Sequence, residues 1–369
     1  MNGDTVLRLF WWLVLGAWVA TIGVALVREL GLAVLLPYLG RTDDERRALI
    51  ARKGTGEGHP VWLLLGGALV GAWWPLFNAT LFSGLWLVLL FMALALLVGP
   101  VGHGYRKHIN ASFRGAWDGG WMLIALAALL VFGLAAGVAV TGVPLHFDQH
   151  TRAAWGSFAM RFTPYDVLVP GFMTIAFGVW LAAASVARDN ADAMAGRARQ
   201  LLLPAGGLVL LIFVGGAIWA TQLPGYAVGG IPKVGASPLH GTTFAVNGAY
   251  LERFFAHLSL VVVPALTALA ILGGLFYAWL GKVERVGAFA AASVVGMVAT
   301  LAAMTYPVIL PSFSMPSQSL TLWNAAAERP VMIALLAWLA VLVPAAVGYQ
   351  MWLRRRGRSG SVQAGETAR

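Results

Sequence analysis

Cysteine is absent from all 369 residues of the sequence. Its absence excludes disulfide bonds, thiolate metal sites and iron–sulfur clusters held by this chain. A cofactor ligand contributed by the sequence would therefore have to be a histidine, a methionine or a carboxylate.

Charged residues are also scarce, at 11% of the sequence, whereas soluble domains carry about 25%. Hydrophobic residues make up 59%, and the mean hydropathy is +0.78. Inside a bilayer only helices and closed barrels satisfy every backbone polar group. The long apolar runs lack the alternation that barrel strands show, so the sequence predicts helices.

Apolar runs long enough to cross a membrane recur along the whole sequence. A spanning helix needs roughly 20 mainly apolar residues. Runs in this range lie at about 7–27, 61–77, 79–102, 116–141, 164–187, 201–221, 255–281, 286–310 and 330–353. We therefore predict an all-α integral membrane protein with about nine transmembrane helices in a single polytopic domain, residues 1–353. Residues 354–369 are predicted to form a disordered basic cytoplasmic tail.

The basic residues predict the orientation of these spans. Positive loops resist translocation and stay on the cytoplasmic side of the membrane. With the N-terminus outside and the C-terminus inside, most of the 25 Lys and Arg residues fall in inner segments. We therefore expect a multi-pass protein of the bacterial inner membrane in this orientation. The loops and anionic lipid account for the net charge of +10, which does not indicate a nucleic-acid partner.

The sequence contains no recognisable set of metal ligands. None of the seven histidines belongs to an HExxH motif, and the deep positions of the predicted spans are apolar. A membrane haem protein normally offers a histidine or methionine deep in a helix. We expect no metal site and no catalytic centre in this chain alone.

Three acidic residues lie within or beside the predicted spans, where charge is costly and indicates function. Glu29, Glu57 and Asp118 all fall toward the predicted inner side, where a buried acid could relay protons from the cytoplasm. Two alternative interpretations remain. Arg28 and Glu29 could be a snorkelling arginine beside an exposed acid, and Asp118 could complement the dipole in the first turn of its helix.

A set of short segments occurs in order from residue 7 to about residue 325. They are Leu7-Arg8-Leu9-Phe10-Trp11-Trp12, Leu35-Leu36-Pro37-Tyr38-Leu39-Gly40-Arg41 with Glu45-Arg46-Arg47, Val61-Trp62-Leu63, Phe82-Ser83-Gly84, Pro100-Val101-Gly102 with Tyr105-Arg106, Trp117-Asp118, Leu310-Pro311-Ser312, and Ser319-Leu320-Thr321-Leu322-Trp323. In this order and spacing they resemble subunit II of the cytochrome bd-type quinol oxidases. The positions that the resemblance marks as structural are Trp62, Pro100, Gly102, Arg106, Pro311, Ser312 and Trp323.

The resemblance implies a fold of two four-helix groups plus a peripheral helix, with no haem ligands in this chain. It implies a partner, subunit I, that binds haem b and haem d, oxidises quinol and reduces oxygen to water. This chain would be the scaffold of that heterodimer and would help to deliver protons from the cytoplasm. Membrane lipid, quinone and a small third subunit are the other partners that the resemblance suggests.

Two segments depart from the family and mark a divergent member. Where the family has an Asp-Gly-Phe-Asp-like stretch, this chain has Leu26-Val27-Arg28-Glu29. Where the family tends to have Trp-Asp-Gly-Asn-Gln/Glu, it has Gly56-Glu57-Gly58-His59-Pro60. The proton-path candidates are accordingly Glu29 and Glu57 first, followed by His59 and Asp118.

Two other functions stay open at this point. A secondary transporter would show polar groups at the membrane midplane and broken helices in repeated halves. An assembly subunit would keep the fold and would no longer conduct protons, as the changes around Leu26 and Gly56 suggest.

Overall fold

The computed structural model describes residues 3–52, 59–156, 164–188, 193–230 and 237–366. The helices within these ranges are α1 (Gly3–Leu39), α2 (Asp43–Arg52), α3 (His59–Trp73), α4 (Pro75–Gly84), α5 (Trp86–Tyr105), α6 (Arg114–Thr141), α7 (Pro164–Val186), α8 (Ala193–Ala220), α9 (Ala249–Ala256), α10 (Leu258–Trp279), α11 (Val283–Thr305) and α12 (Arg329–Glu366). Three antiparallel pairs of short strands lie between them: β1 (Leu145–Phe147) with β2 (Ala153–Trp155), β3 (Pro224–Val228) with β4 (Thr243–Asn247), and β5 (Val308–Leu310) with β6 (Leu320–Thr321).

The helices confirm the all-α membrane fold. Within the described residues, seven helices are long and apolar enough to cross a membrane, and the bent pair of α3 and α4 is an eighth candidate. The described apolar part of α5, Trp86–Leu96, is shorter. The predicted number of nine spans is therefore approximate. At the other end of the chain, α12 continues to Glu366, through the segment predicted to be a basic tail, and the disorder of that tail stays a prediction.

The first helix is longer than the sequence predicts. The apolar run ends near residue 27, but α1 continues to Leu39. Arg28 and Glu29 do not end it, because both residue types are good helix formers and their long side chains can reach out of the apolar layer. The leucines that follow them on α1 return to the core: Leu30, Leu32, Leu35, Leu36 and Leu39 are buried.

A sharp bend separates α3 from α4. The two helix axes differ by 111°. Pro75 explains the break, because proline disfavours helical geometry in the residue before it, and Trp74 has φ −119° and ψ 72°. The sequence predicts two runs, 61–77 and 79–102, that meet at Asn78. The structure corrects this boundary, since α4 is a separate helix of 10 residues.

The bundle has two ends with different polar structures. At one end, which we call the hairpin end, α6 and α11 finish, α12 begins and the strands β1–β6 lie. At the other, which we call the ion-pair end, α1, α5 and α7 finish and α6 and α8 begin. The short helix α2 follows α1 at the ion-pair end.

Side-chain hydrogen bonds fix the strands of the hairpin end to the helices and to each other. The side-chain oxygen of Gln318 accepts a hydrogen bond of 2.5 Å from the backbone N–H of Phe147 in β1. The hydroxyl of Tyr226 in β3 donates to the carbonyl of Thr141, the last residue of α6, at 3.0 Å. The connections between the spans at this end therefore form one connected layer.

The main core lies between α1, α6, α7, α8, α10 and α11 and contains the fully buried Trp180. Within it, α1 and α7 approach each other most closely at Gly31. A Cβ atom placed on Gly31 would lie 2.0 Å from the carbonyl oxygen of Gly178. Small residues at such crossings let two helix backbones touch in a membrane. The crossing of α1 and α7 therefore requires glycine at position 31.

We expect Gly31→Ala to destabilise the protein by about 1–3 kcal/mol, the usual range for an overpacked core. The atoms that the new methyl group meets are backbone, so the two helices must move apart to admit it. The measurement is the thermal unfolding midpoint of the purified protein in mild detergent, which should fall.

Gly16→Ala is the matched control in the same helix, because a Cβ atom on Gly16 would have no neighbour within 4 Å. Its midpoint should equal or slightly exceed the wild-type value, since alanine favours helix over glycine. Equal midpoints for the two variants would contradict the close crossing of α1 and α7.

Candidate functional site

A network of ion pairs at the ion-pair end is centred on Asp118 of α6, whose side chain is 1% exposed. Arg106, in the short turn after α5, donates from Nε to Oδ1 at 2.7 Å and from Nη2 to Oδ2 at 2.8 Å. Arg46 of α2 donates from Nη1 to Oδ2 at 3.0 Å. Two guanidinium groups therefore enclose one buried carboxylate.

Asp43, the first residue of α2, extends this network. It accepts hydrogen bonds of 2.8 Å from Arg106 and 2.8 Å from Arg114, and it pairs with Arg47 at 2.6 Å. Burial raises the pKa of Asp43, but the hydrogen bond from Arg106 and the three guanidinium charges outweigh this effect and hold the pKa below its ordinary value. The hydrogen bond with Asp118 is the main reason why the pKa of Arg106 is raised.

The start of α2 is a capping box with a second function. The Thr42 hydroxyl oxygen accepts from the Glu45 N–H at 3.2 Å, and the Glu45 carboxylate accepts from the Thr42 N–H at 3.2 Å, which is the reciprocal pattern of this motif. The other carboxylate oxygen accepts a bond of 2.7 Å from Arg197 of α8. This bond is the main cause of the lowered pKa of Glu45. The cap of α2 therefore also ties α2 to α8.

The contacts of Asp118 change the interpretation of this residue. Helix α6 begins at Arg114 and has no acid in its first turn, so the prediction that Asp118 complements the helix dipole does not hold. Its carboxylate instead binds arginines 12 and 72 residues away in the sequence. The geometry favours an anchor that joins α2, α6 and the turn between α5 and α6. Proton relay by Asp118 stays a prediction.

The other proton-path candidates are not brought together with Asp118 by any described contact. Glu29 lies in α1 and is partly buried, while its neighbour Arg28 is exposed. The alternative interpretation of Glu29 as an exposed acid is therefore not supported. Glu57 lies outside the described residues. His59 is the first residue of α3, and its side chain lies outside the described part.

At the hairpin end, the structure joins residues from opposite ends of the sequence. The Arg8 side chain is 2% exposed, and its Nη1 donates to the carbonyls of Leu322 at 2.7 Å and Trp323 at 3.0 Å. The segment that contains Trp323 is further held by Ser312, whose backbone N–H donates to the Ser319 hydroxyl oxygen at 2.9 Å. Arg8 belongs to the first of the family-like segments, but the sequence alone does not indicate its structural role.

Most of the remaining family positions have packing or hydrogen-bonding roles. The Trp62 carbonyl accepts a bond of 2.9 Å from the Trp18 indole, and the Pro311 carbonyl accepts a bond of 3.0 Å from the N–H of Val143. A Cβ atom on Gly102 would lie 1.8 Å from the ring of Trp121, so glycine is required where α5 meets α6. Pro100 lies within α5, and its side chain is outside the described part.

The histidine side chains that the structure describes are not part of the apolar core. Those with described side chains are outside the long spans, in short turns, a strand or a helix junction: His108, His146, His150, His240 and His257. Among the residues that the structure describes, no three His, Cys, Asp or Glu side chains are grouped so that they could hold a metal ion. The described ion pairs lie at the ion-pair end, except for the pair of Asp4 and Arg329 at the hairpin end.

We expect Asp118→Asn to destabilise the protein by about 3–5 kcal/mol, the usual effect of removing one partner of a buried ion pair. The variant leaves Arg106, whose side chain is 6% exposed, without its strongest acceptor. The thermal midpoint in detergent should fall, and hydrogen exchange in α2 should become faster. Asp44→Asn is the control, because the Asp44 side chain is 92% exposed. An Asp118→Asn midpoint no lower than that of the control would contradict the anchoring role.

The network should also make stability depend on pH. The pKa values of Asp43 and Glu45 are lowered in the folded chain. Such carboxylates contribute stability above their ordinary pKa of about 4, and this contribution is lost as the pH falls through the lower folded values. We expect the thermal unfolding midpoint to decrease when the pH is lowered below about 4. In the Asp43→Asn variant this decrease should be smaller. The same acid sensitivity in both proteins would show that Asp43 does not contribute.

Comparisons with known proteins agree with this architecture. Residues 7–356 match the family described as cytochrome bd terminal oxidase subunit II. The probable cytochrome oxidase subunit 2 of Haemophilus influenzae is 30% identical over 354 residues, which cover 94% of this chain and 93% of the relative. The cytochrome bd-I ubiquinol oxidase subunit 2 of Escherichia coli K12 is 28% identical over the same shares of both chains.

A solved structure shows the same fold. A chain of the bd oxidase from Geobacillus thermodenitrificans superposes with a TM-score of 0.66 at 12% identity, over 95% of this chain and 98% of that chain. The family match covers nearly the whole sequence, and the relative from Haemophilus influenzae is matched over nearly its full length. This multi-pass membrane protein therefore belongs to the cytochrome bd terminal oxidase subunit II family and is a subunit of that oxidoreductase complex.

Proposed function

We propose that the chain is the scaffold subunit of a bd-type quinol oxidase in a bacterial inner membrane. Its partner, subunit I, would hold haem b and haem d, oxidise quinol and reduce oxygen to water. A small third subunit, membrane lipid and quinone would be further partners. The observation that carries this proposal is the family match over residues 7–356, and the name of the relative from Escherichia coli, a ubiquinol oxidase subunit, supports the choice of quinol.

The arrangement of the described side chains supports a scaffold. The histidines with described side chains lie outside the long spans, whereas the main core consists of apolar residues from α1, α6, α7, α8, α10 and α11. Haem in a membrane protein is normally held by a histidine or methionine inside the helices. The rival hypothesis of a secondary transporter gains no support, since the family is a terminal oxidase family.

The orientation proposed for the chain places the ion-pair end in the cytoplasm. The arginines of the ion-pair network outnumber its carboxylates, and the same end carries Arg197 and Lys282. Positive charge is retained on the cytoplasmic side. Asp4, the partly exposed acid near the start of α1, lies at the opposite end and pairs with Arg329 at 3.4 Å.

Proton delivery is the finer part of the proposal. Reduction of oxygen to water consumes protons, and an acid inside a span is a functional candidate by default. Glu29 is partly buried in α1, and Glu57 precedes α3 in the sequence. His59, at the start of α3, is the next candidate. Asp118 ranks last, because three hydrogen bonds from arginines already engage its carboxylate.

The location of the haems can be tested by spectroscopy. We expect the tagged chain, purified in mild detergent from a host that lacks bd oxidases, to show haem d absorbance when it is co-expressed with the product of its neighbouring gene. Expressed alone, it should show none, because the ligands are proposed to lie in subunit I. Haem d in the chain expressed alone would overturn the scaffold assignment. Failure of any haem protein to co-purify would overturn the oxidase partnership.

The proton route can be tested in the assembled complex. We expect the double substitution Glu29→Gln with Glu57→Gln to lower quinol-dependent oxygen consumption by about tenfold or more, because a positioned acid typically contributes at least that much to proton transfer. Haem content should stay at the wild-type level. Glu252→Gln is the control, since Glu252 is an exposed acid of α9 at the hairpin end. Unchanged oxygen consumption with full haem content would leave the chain as an assembly subunit.

A further inference from the structure

A cavity of about 290 Å³ lies between α1, α7 and α11, apart from the ion-pair network. Its polar lining comes from Thr21 and Arg28 of α1, Ser185 of α7 and Arg188, which follows α7. Gly287 lines it from the first turns of α11. Because α7 finishes and α11 begins next to the ion-pair end, the cavity is located in that half of the bundle.

Two guanidinium groups line this cavity without a carboxylate partner among the described residues. In the part of the chain that the structure describes, neither Arg28 nor Arg188 forms an ion pair with Asp or Glu. Both side chains are exposed to the cavity and its opening. Five arginines of the same end are ion-paired, with carboxylate distances between 2.6 Å and 3.0 Å: Arg46, Arg47, Arg106, Arg114 and Arg197.

The hydroxyl groups of the cavity are engaged within their own helices. Thr21 donates to the carbonyl of Ala17 at 2.7 Å, and Ser185 donates to the carbonyl of Ala182 at 2.7 Å. A ligand would therefore meet charged N–H donors rather than hydroxyl hydrogens. The group that complements two guanidiniums is an anion that accepts several hydrogen bonds, and phosphate does so because Arg binds it in a bidentate manner.

The position of the cavity indicates the source of that phosphate. Arg28 lies within α1, where an unpaired charge is costly and a bound anion would offset the cost. Apolar residues of α1, α7 and α11 complete the walls: Val24, Ala25, Leu181 and Ala291. Basic pockets between transmembrane helices typically bind anionic headgroups. We propose that this cavity binds the phosphate of an anionic phospholipid, whose acyl region meets the apolar walls.

Gly287 keeps the space open for this ligand. A Cβ atom on Gly287 would lie 2.7 Å from the Nη2 atom of Arg188. A larger residue would therefore displace the guanidinium and narrow the cavity, while the net charge would not change. Substitution of Gly287 thus tests whether binding depends on the shape of the cavity, with its net charge unchanged.

The test uses the assembled complex of the chain with its partner subunit, delipidated in mild detergent. Phosphatidylglycerol in mixed micelles is the probe, phosphatidylcholine is the comparison without net charge, and inorganic phosphate is the free anion. Native mass spectrometry counts the phosphatidylglycerol that is retained as its concentration increases. We expect the double substitution Arg28→Gln with Arg188→Gln to weaken the tightest phosphatidylglycerol binding by at least about tenfold, the effect of losing charge-assisted hydrogen bonds.

Two further variants separate specific binding from general attraction. Gly287→Val should weaken binding with the net charge unchanged. Lys282→Gln removes one positive charge from an exposed residue just before α11 and should bind phosphatidylglycerol as the wild type does. Haem absorbance, recorded for every variant, shows that the complex is assembled, so the outcome does not depend on the proton route.

Four outcomes would overturn the proposal. The double variant could bind phosphatidylglycerol as tightly as the wild type. Lys282→Gln could weaken binding as much as the double variant, which would show a general surface charge effect. Inorganic phosphate could displace the lipid at equal concentration, which would show a site for a free anion. Retention of phosphatidylcholine in equal amounts would likewise exclude recognition of charge.

Discussion

The buried pair of Arg106 and Asp118 is the contact on which the ion-pair end depends. Helices in a bilayer gain little from hiding apolar surface from one another, because lipid is equally apolar. Close packing and polar contacts therefore decide their arrangement. Arg106 reaches both Asp118 and Asp43, so one guanidinium joins α2, α6 and the turn after α5. The bond between Glu45 and Arg197 adds α8 to the same assembly.

The architecture could largely be predicted from the sequence, because a long apolar run in lipid has few alternatives to a helix. The bounds of individual helices were less predictable, because they depend on more than the residues at the boundary. The first predicted run stops at about residue 27, before Arg28 and Glu29, but the buried leucines that follow continue α1 to Leu39. The runs 61–77 and 79–102 likewise did not predict that α4 is a separate helix, set at 111° to α3 after the break at Pro75.

The site was less predictable, since its members are far apart in the sequence. Thr42 and Glu45 have the spacing of a capping box, a pattern that indicates the start of a helix. Nothing in the sequence indicates that Arg46 binds an acid 72 residues later. The family resemblance marked Arg106 without giving its partner. Arg28 and Glu29 are adjacent, and successive helix residues point in different directions. Arg28 can therefore line the cavity while Glu29, on another face of α1, is a proton-path candidate.

The bond from Arg8 has a consequence for the order of synthesis. Arg8 lies near the start of α1, but its two carbonyl acceptors lie 314 and 315 residues later in the chain. While the intervening helices are being inserted, this guanidinium has to be stabilised by water or lipid headgroups at the membrane surface. These two bonds can therefore form only after the segment before α12 has been translated, and a chain truncated before that segment would lack this anchor of α1.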